Sequence, residues 1–472
     1  MRHLFGIDSL LWDGSGKAEP VIVDFNALVN GHSVFAAMSG KGKSHQIARL
    51  LKSAARQGIL CDVIDPHDEL ANLVAGGPGG SAGLVSSAKF SESRSAGYNP
   101  LVINPDPHSG GVHRQISVVL ETIARSGREL GTRQAYALKA LLLDVYELRG
   151  IYPNDPSTWG RREMTEAMYD DFCRRRDYQG MRGYYPILRD VISYAERKLK
   201  ALITGGDSKS ITALEMVERS QKRIASLSRK YVNSIDDGER ERISADHAKY
   251  KEKAIEAYAA FINSLETGKE SSDVVKFTDR DTLVAIIERL HELSRGIFCS
   301  NPPLWDEGAK VRVHEVMSLS DADLKMLVYT RAHAILRECM DMGITDTVRR
   351  IFLLDEAHRF YSDKPDDPLN RIAKEGRKFG LSLVMGSQSP THFSEDFLTN
   401  VSCMVILGIH DKFWASAVRQ LGIDLPTMQK IKAREVVALR LQLRGETSGK
   451  FRLVNVADKV LMSARDQLLP RG

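Results

Sequence analysis

Long apolar runs are missing from this chain of 472 residues: no stretch approaches about 18 uncharged apolar residues, so no membrane-spanning helix is expected. The opening Met1–Asp8 lacks the apolar core of a secretory leader. Cysteine is scarce. The five residues, Cys61, Cys173, Cys299, Cys339 and Cys403, are odd in number and contain no C-x-x-C pair. That argues against a disulfide framework and against structural zinc, and it fits a reducing, cytoplasmic location. Strong charge of one sign is also missing. A net charge of +5 permits nucleic-acid binding without arguing for it. There is no internal repeat and no long low-complexity tract. The 43% hydrophobic and 27% charged residues are ordinary for a globular protein, and the length suits two or three domains.

One further absence is local. The stretch Ala37-Met38-Ser39-Gly40-Lys41-Gly42-Lys43-Ser44 follows the phosphate-loop pattern G-x-x-x-x-G-K-[ST] except that Ala37 replaces the first glycine. Its context is the required one. Ser33–Ala37 is small and apolar, suited to a buried strand, and Ile47, Leu50, Leu51 and Ala54 recur at helical spacing behind it. The backbone N–H groups of such a loop cradle phosphate oxygens in front of a helix N-terminus. Ser39, Gly40, Lys41, Gly42, Lys43, Ser44 and His45 are the candidate contacts. Lys43 would reach the β- and γ-phosphates of ATP, and the Ser44 hydroxyl would sit on Mg²⁺. A glycine- and lysine-rich turn with no ligand is the plain alternative.

Residues 1–30 read as a turn-rich lead-in with an edge strand at Pro20–Val23. Beyond the loop, residues 59–64 suit a second parallel strand, ending in Asp65-Pro66-His67-Asp68-Glu69. Asp65 and Glu69 either face a nucleotide at the strand ends or serve a turn and helix cap, with Asp65 as a local acceptor. Ala75 to Gly83, with the run Gly76-Gly77-Pro78-Gly79-Gly80, reads as a glycine-rich linker. Residues 114–150 carry helical periodicity. Residues 151–309 are charged and helical, with a hairpin expected over about 210–268 and packed on the side of the core. The α/β pattern returns at residue 310, with a strand at Val311–Val316 and a helix from Asp321 to about Met342. A terminal hairpin is expected over 435–454, and the tail 457–472 is expected to reach a neighbouring subunit. The segmentation is thus 1–30, 31–150, 151–309, 310–456 and 457–472.

A second motif gives the loop a counterpart. Ile351-Phe352-Leu353-Leu354 is a buried strand that delivers Asp355 and Glu356 to the sheet's end. In phosphate-loop ATPases the first acid helps hold Mg²⁺, and the second is placed to polarise water. The alternative is a strand followed by a helix start that favours acids. Leu381–Met385 is the next strand. Arg377 precedes it and Gln388 follows it. A glutamine there can orient water, and a guanidinium can stabilise phosphoryl charge from a neighbouring subunit; a surface helix arginine and a strand-end hydrogen bond are the alternatives.

In order, residues 33–45, Ile64-Asp65-Pro66-His67, Leu353–His358, Glu375–Leu381 and Ser387-Gln388-Ser389-Pro390 resemble the HerA/FtsK superfamily, closest to HerA-like helicase/translocases and then to conjugation and type IV secretion ATPases. The resemblance covers roughly 33–145 and 310–456. It implies an α/β fold: a RecA-like P-loop NTPase core with a mostly parallel sheet and an inserted helical subdomain. It also implies ATP hydrolysis with Mg²⁺ and a homo-hexameric ring around double-stranded DNA, with a nuclease or other effector as partner in DNA processing or anti-phage defence. By position, Lys43 and Ser44 contact nucleotide and Mg²⁺, Asp355 binds Mg²⁺, Glu356 is the catalytic acid, Gln388 the sensor and Arg377 a finger in trans. Ala37 departs from the pattern, and the usual N-terminal β-barrel finds no room before the loop. Two other functions stay open: a conjugation or secretion ATPase, and a ring scaffold that regulates an effector.

Overall fold

The computed structural model describes residues 1–8, 19–76, 82–91, 96–125, 129–204, 208–233, 236–263, 280–364, 367–446, 449–458 and 461. Chain contacts divide into two units, residues 1–98 with 122–128 and 301–472, and residues 99–121 with 129–300. The first unit therefore takes less of the chain before residue 150 than the sequence segmentation gave it.

The first unit is built on one sheet of eleven strands: β1 (Arg2–Asp8), β2 (Pro20–Asp24), β3 (Ser33–Ala37), β4 (Leu60–Asp65), β5 (Val85–Lys89), β6 (Val311–Glu315), β7 (Thr345–Leu354), β8 (Phe379–Ser387), β9 (Cys403–Gly408), β10 (Val436–Leu441) and β11 (Phe451–Asn455). Their spatial order is β2-β1-β11-β10-β9-β3-β8-β7-β4-β6-β5. From β9 to β5 every neighbouring pair is parallel. The remaining pairs are antiparallel. The fold is α/β, with a mostly parallel sheet. Strands β3 and β9 are buried almost throughout, as expected of a parallel sheet covered on both faces.

Two helices frame the phosphate loop: α1 (Lys43–Arg56) and α2 (Leu70–Ala75). Ile47, Leu50, Leu51 and Ala54 form the buried stripe of α1 and join the core with Val63, Leu353 and Val405. Residues 1–30 are more than a lead-in. β1 pairs with β2 on one side and β11 on the other, and Phe5 and Ile7 are fully buried. The strand after residue 344 begins at Thr345, six residues before its apolar run, and its first half is largely uncovered.

The second unit is helical. The helices Thr132–Leu148, Leu188–Thr204 and Arg280–Arg295 pack on one another. Arg149 holds Asp190 through two contacts of 2.7 Å. Helices Ser208–Asn233 and Asp237–Asn263 pair as the expected hairpin. The glycine run after Gly76, residues 264–268 of the expected hairpin and the tail beyond residue 461 lie outside the described residues. Among the described residues, no helix is long and apolar enough to cross a membrane.

Candidate active site

Strand β8 lies between β3, which carries the phosphate loop, and β7, which carries the acid pair. Being parallel, the three strands present their carboxyl ends together. Lys43 therefore meets Asp355, Glu356 and Gln388, which lie more than 300 residues further along the chain. They line a cavity of about 550 Å³ with Ser39, Gly40, Gly42, Ser44 and His45.

Gly40 and Gly42 adopt φ of 77° and 94°, left-handed values that other residues rarely take. Ala37 is not among the described residues with positive φ, so its methyl group is tolerated and the departure from the sequence pattern carries no backbone strain. No side chain caps α1, which leaves its N-terminal turn suited to an anion.

The Lys43 Nζ stands 2.6 Å from Asp355 Oδ1 and is also paired with Glu356. Burial works against the charged amine, but the two carboxylates outweigh it and raise the Lys43 pKa. For Glu356, burial opposes the charge, yet the hydrogen bond and charge of Lys43 prevail and lower its pKa. Gln388 Nε2 donates to Glu356 Oε2 at 3.4 Å, and His358 Nδ1 lies 3.4 Å from the same oxygen. Glu356 itself is held at φ 49°, a strained conformation for a non-glycine residue. Asp355 Oδ1 accepts the Glu356 backbone N–H at 2.9 Å, while its buried Oδ2 has no hydrogen-bond partner.

That orphaned carboxylate oxygen and the Ser44 hydroxyl fit a hard divalent cation such as Mg²⁺, which takes few protein ligands and completes its shell with phosphate and water oxygens. Among the described residues, no group of three or more His, Cys, Asp or Glu that could hold a metal ion is found. Here the Ser44 hydroxyl donates to Glu69 Oε1.

The open choice at the end of β4 resolves residue by residue. Asp65 does not line the cavity: its oxygens accept the N–H groups of His67 at 3.1 Å and Leu70 at 2.7 Å, a local cap. Burial pushes its pKa up to about 6, against those hydrogen bonds. Glu69 and His67 do line the cavity. Arg377 is not brought to this site. It sits before the first residue of β8, whereas Gln388 follows the last, a separation of roughly 30 Å for nine residues of strand. It shares a crevice with Phe25, Asp346 and Arg444.

Sequence reasoning missed three cavity residues from the far end of the chain: Arg434, Val456 and Asp458. Asp458 Oδ1 stands 3.3 Å from His45 Nε2. Arg434 adopts φ 60°, and its Cγ lies where a Cβ on Gly42 would approach to 3.2 Å. Only the placement of β10 beside β9 brings it there, and no local motif announces it.

Fold and phosphate loop together are those of a P-loop NTPase. The family model described as Helicase HerA, central domain, matches residues 10–295, more than half of the 472, so the chain belongs to that family. The match takes in the helical middle segment and ends before the acid pair. A probable helicase of Methanocaldococcus jannaschii is 23% identical over 239 residues, covering 46% of this chain and 42% of that protein. The DNA double-strand break repair helicase HerA of Pyrococcus furiosus is 34% identical over 83 residues, 16% of this chain and 15% of that protein. The chain thus matches less than half the length of either relative. VirB4 of Thermoanaerobacter pseudethanolicus has the same fold, with a TM-score of 0.57 over 97% of each chain at 16% identity.

Proposed function

We propose that this protein hydrolyses ATP with Mg²⁺ to translocate double-stranded DNA, working as a homo-hexameric ring of HerA type with a nuclease or other effector as partner in DNA processing or anti-phage defence. The observation that carries the ATPase reading is the meeting of Lys43, Asp355, Glu356 and Gln388 in front of the phosphate loop. Membership of the HerA helicase family supports the DNA reading.

In this reading Ser39–His45 bind the phosphates, and Lys43 carries the charge that holds the β- and γ-groups. Ser44 and Asp355 hold the Mg²⁺, which offsets phosphate charge when bound. Glu356 orients the attacking water, and Gln388 fixes the carboxylate from the neighbouring strand. The ion pairs couple binding to reactivity. While Lys43 touches Glu356, the glutamate is a weak base, because the ammonium lowers its pKa. When phosphate oxygens draw Lys43 away, that cause is removed and the basicity of Glu356 rises. The base is thus released by the substrate it acts on. Arg377 lies too far from its own phosphate loop to act there, and in this reading it serves the nucleotide of an adjacent subunit.

Lys43→Ala is expected to abolish turnover and weaken nucleotide binding. Glu356→Gln is expected to bind ATP without hydrolysing it, a loss of at least about a hundredfold in kcat, by analogy with general-base losses. Phosphate release and nucleotide binding, with and without duplex DNA, check both. Full turnover in both variants would end the reading, and turnover indifferent to DNA would remove the translocase part.

A further inference from the structure

Asp355, Glu356 and Gln388 lie on one side of the phosphate loop, toward β8 and β7. The other side is built by the antiparallel strands. Strand β10 runs opposite to β9, with Ala438 beside Ile406 and Leu441 beside Cys403, so the start of β10 lies at the same end of the sheet as the phosphate loop. Lys432 and Val436 exchange backbone hydrogen bonds of 2.9 Å, closing a three-residue turn that holds Arg434. The turn position with positive φ is ordinarily filled by glycine or asparagine. Here it is an exposed arginine at φ 60°, leaning over Gly42 and lining the cavity. Among the described residues it has neither a hydrogen bond nor an ion pair. A strained backbone, a cationic side chain without an acidic partner and a phosphate loop beneath it coincide at one residue.

We propose that Arg434 binds the polyphosphate of the nucleotide held on its own chain's loop, from the side opposite Lys43's carboxylate partners, and thereby positions it. This rests on the nucleotide reading above. Lys43 points toward the acid pair, where the terminal phosphate is handled. Arg434 comes from the β10 side, with Val456 and Asp458, and so meets the phosphates nearer the nucleoside. A guanidinium suits that task, since it offers a fork of donors to phosphate oxygens and stays charged. The left-handed turn keeps the Arg434 stem against Gly42, which has no side chain to block it.

Arg434→Gly removes the guanidinium and relieves the backbone strain at once, so it separates binding from folding. The full chain is titrated calorimetrically with Mg²⁺ and ATP, ADP or AMP, and its melting temperature is measured without nucleotide. The expected result is ten- to a hundredfold weaker binding of both ATP and ADP, the range for a lost charge-assisted hydrogen bond. AMP binding should change less, the unliganded melting temperature should hold or rise, and Arg434→Lys should restore part of the affinity. Wild-type affinity for ADP in a folded Arg434→Gly variant overturns the proposal, as does a parallel loss of melting temperature and binding that Arg434→Lys does not relieve. Failure of the wild-type chain to bind ATP or ADP at all overturns the nucleotide reading itself.

Discussion

Asp65 accepts two backbone N–H groups and is fully buried, yet its pKa is pushed up to about 6. Burial is the main cause, and the charges of Asp355 and Asp68 add to it. The sign follows from linkage. The folded protein holds this proton more tightly than the unfolded chain, so between about pH 4 and 6 stability falls as pH rises, by roughly 3 kcal/mol for this group alone. Asp65→Asn cannot titrate and keeps an acceptor for the turn. Denaturant unfolding of both proteins should therefore show wild type losing stability relative to the variant as pH rises from 4 to 6, with a constant offset above about 7. A difference that does not vary with pH would show that Asp65 has no raised pKa. Glu356 behaves oppositely: its pKa is lowered, so its contribution is present at neutral pH and lost on acidification.

Strand β8 is the element on which the site depends. It spaces the phosphate-loop strand from the acid-bearing strand and supplies Gln388 at its end. Gly386 makes the arrangement possible, since a Cβ there would stand 2.3 Å from Asp355 Oδ1 and 3.3 Å from Ile47 Cδ1. Gly386→Ala should displace the Asp355 carboxylate and weaken Mg²⁺-dependent nucleotide binding about tenfold or more, as loss of one charge-assisted contact implies. Calorimetric titration with and without Mg²⁺ checks this, and unchanged Mg²⁺-dependent affinity would contradict it.

Much of this element was legible in advance, because a strand buried on both faces is written as a continuous apolar run, as at Ile351–Leu354 and Leu381–Met385. Strand β1 was not, since Gly6 and a polar start break its pattern and its partners lie at the other end of the chain. Arg434 was invisible for the same kind of reason: its position depends on the pairing of β10 with β9 and on a left-handed turn, neither encoded nearby. For Asp65 both readings stand open in the sequence, because a strand end is where ligands bind, and its hydrogen bonds decide for the turn.

At the scale of the whole molecule, the two ends of β8 do different work in the proposed assembly. One end meets the chain's own nucleotide through Gln388, and the other presents Arg377 some 30 Å away, by the rise of a strand. In the proposed ring, the adjacent chain would bring its Arg377 to the γ-phosphate that Lys43 already contacts. Arg377→Ala should leave nucleotide binding near wild type while lowering kcat by about a thousandfold or more, the scale of an arginine finger. The most direct test of the account is single-particle imaging of the purified chain with a non-hydrolysable ATP analogue, with and without duplex DNA. A six-fold ring is expected, with DNA in its channel, nucleotide at Gly40–Ser44 and Arg377 of the adjacent subunit at the γ-phosphate. Nucleotide-bound particles that stay monomeric, or a ring in which Arg377 faces solvent, would contradict it.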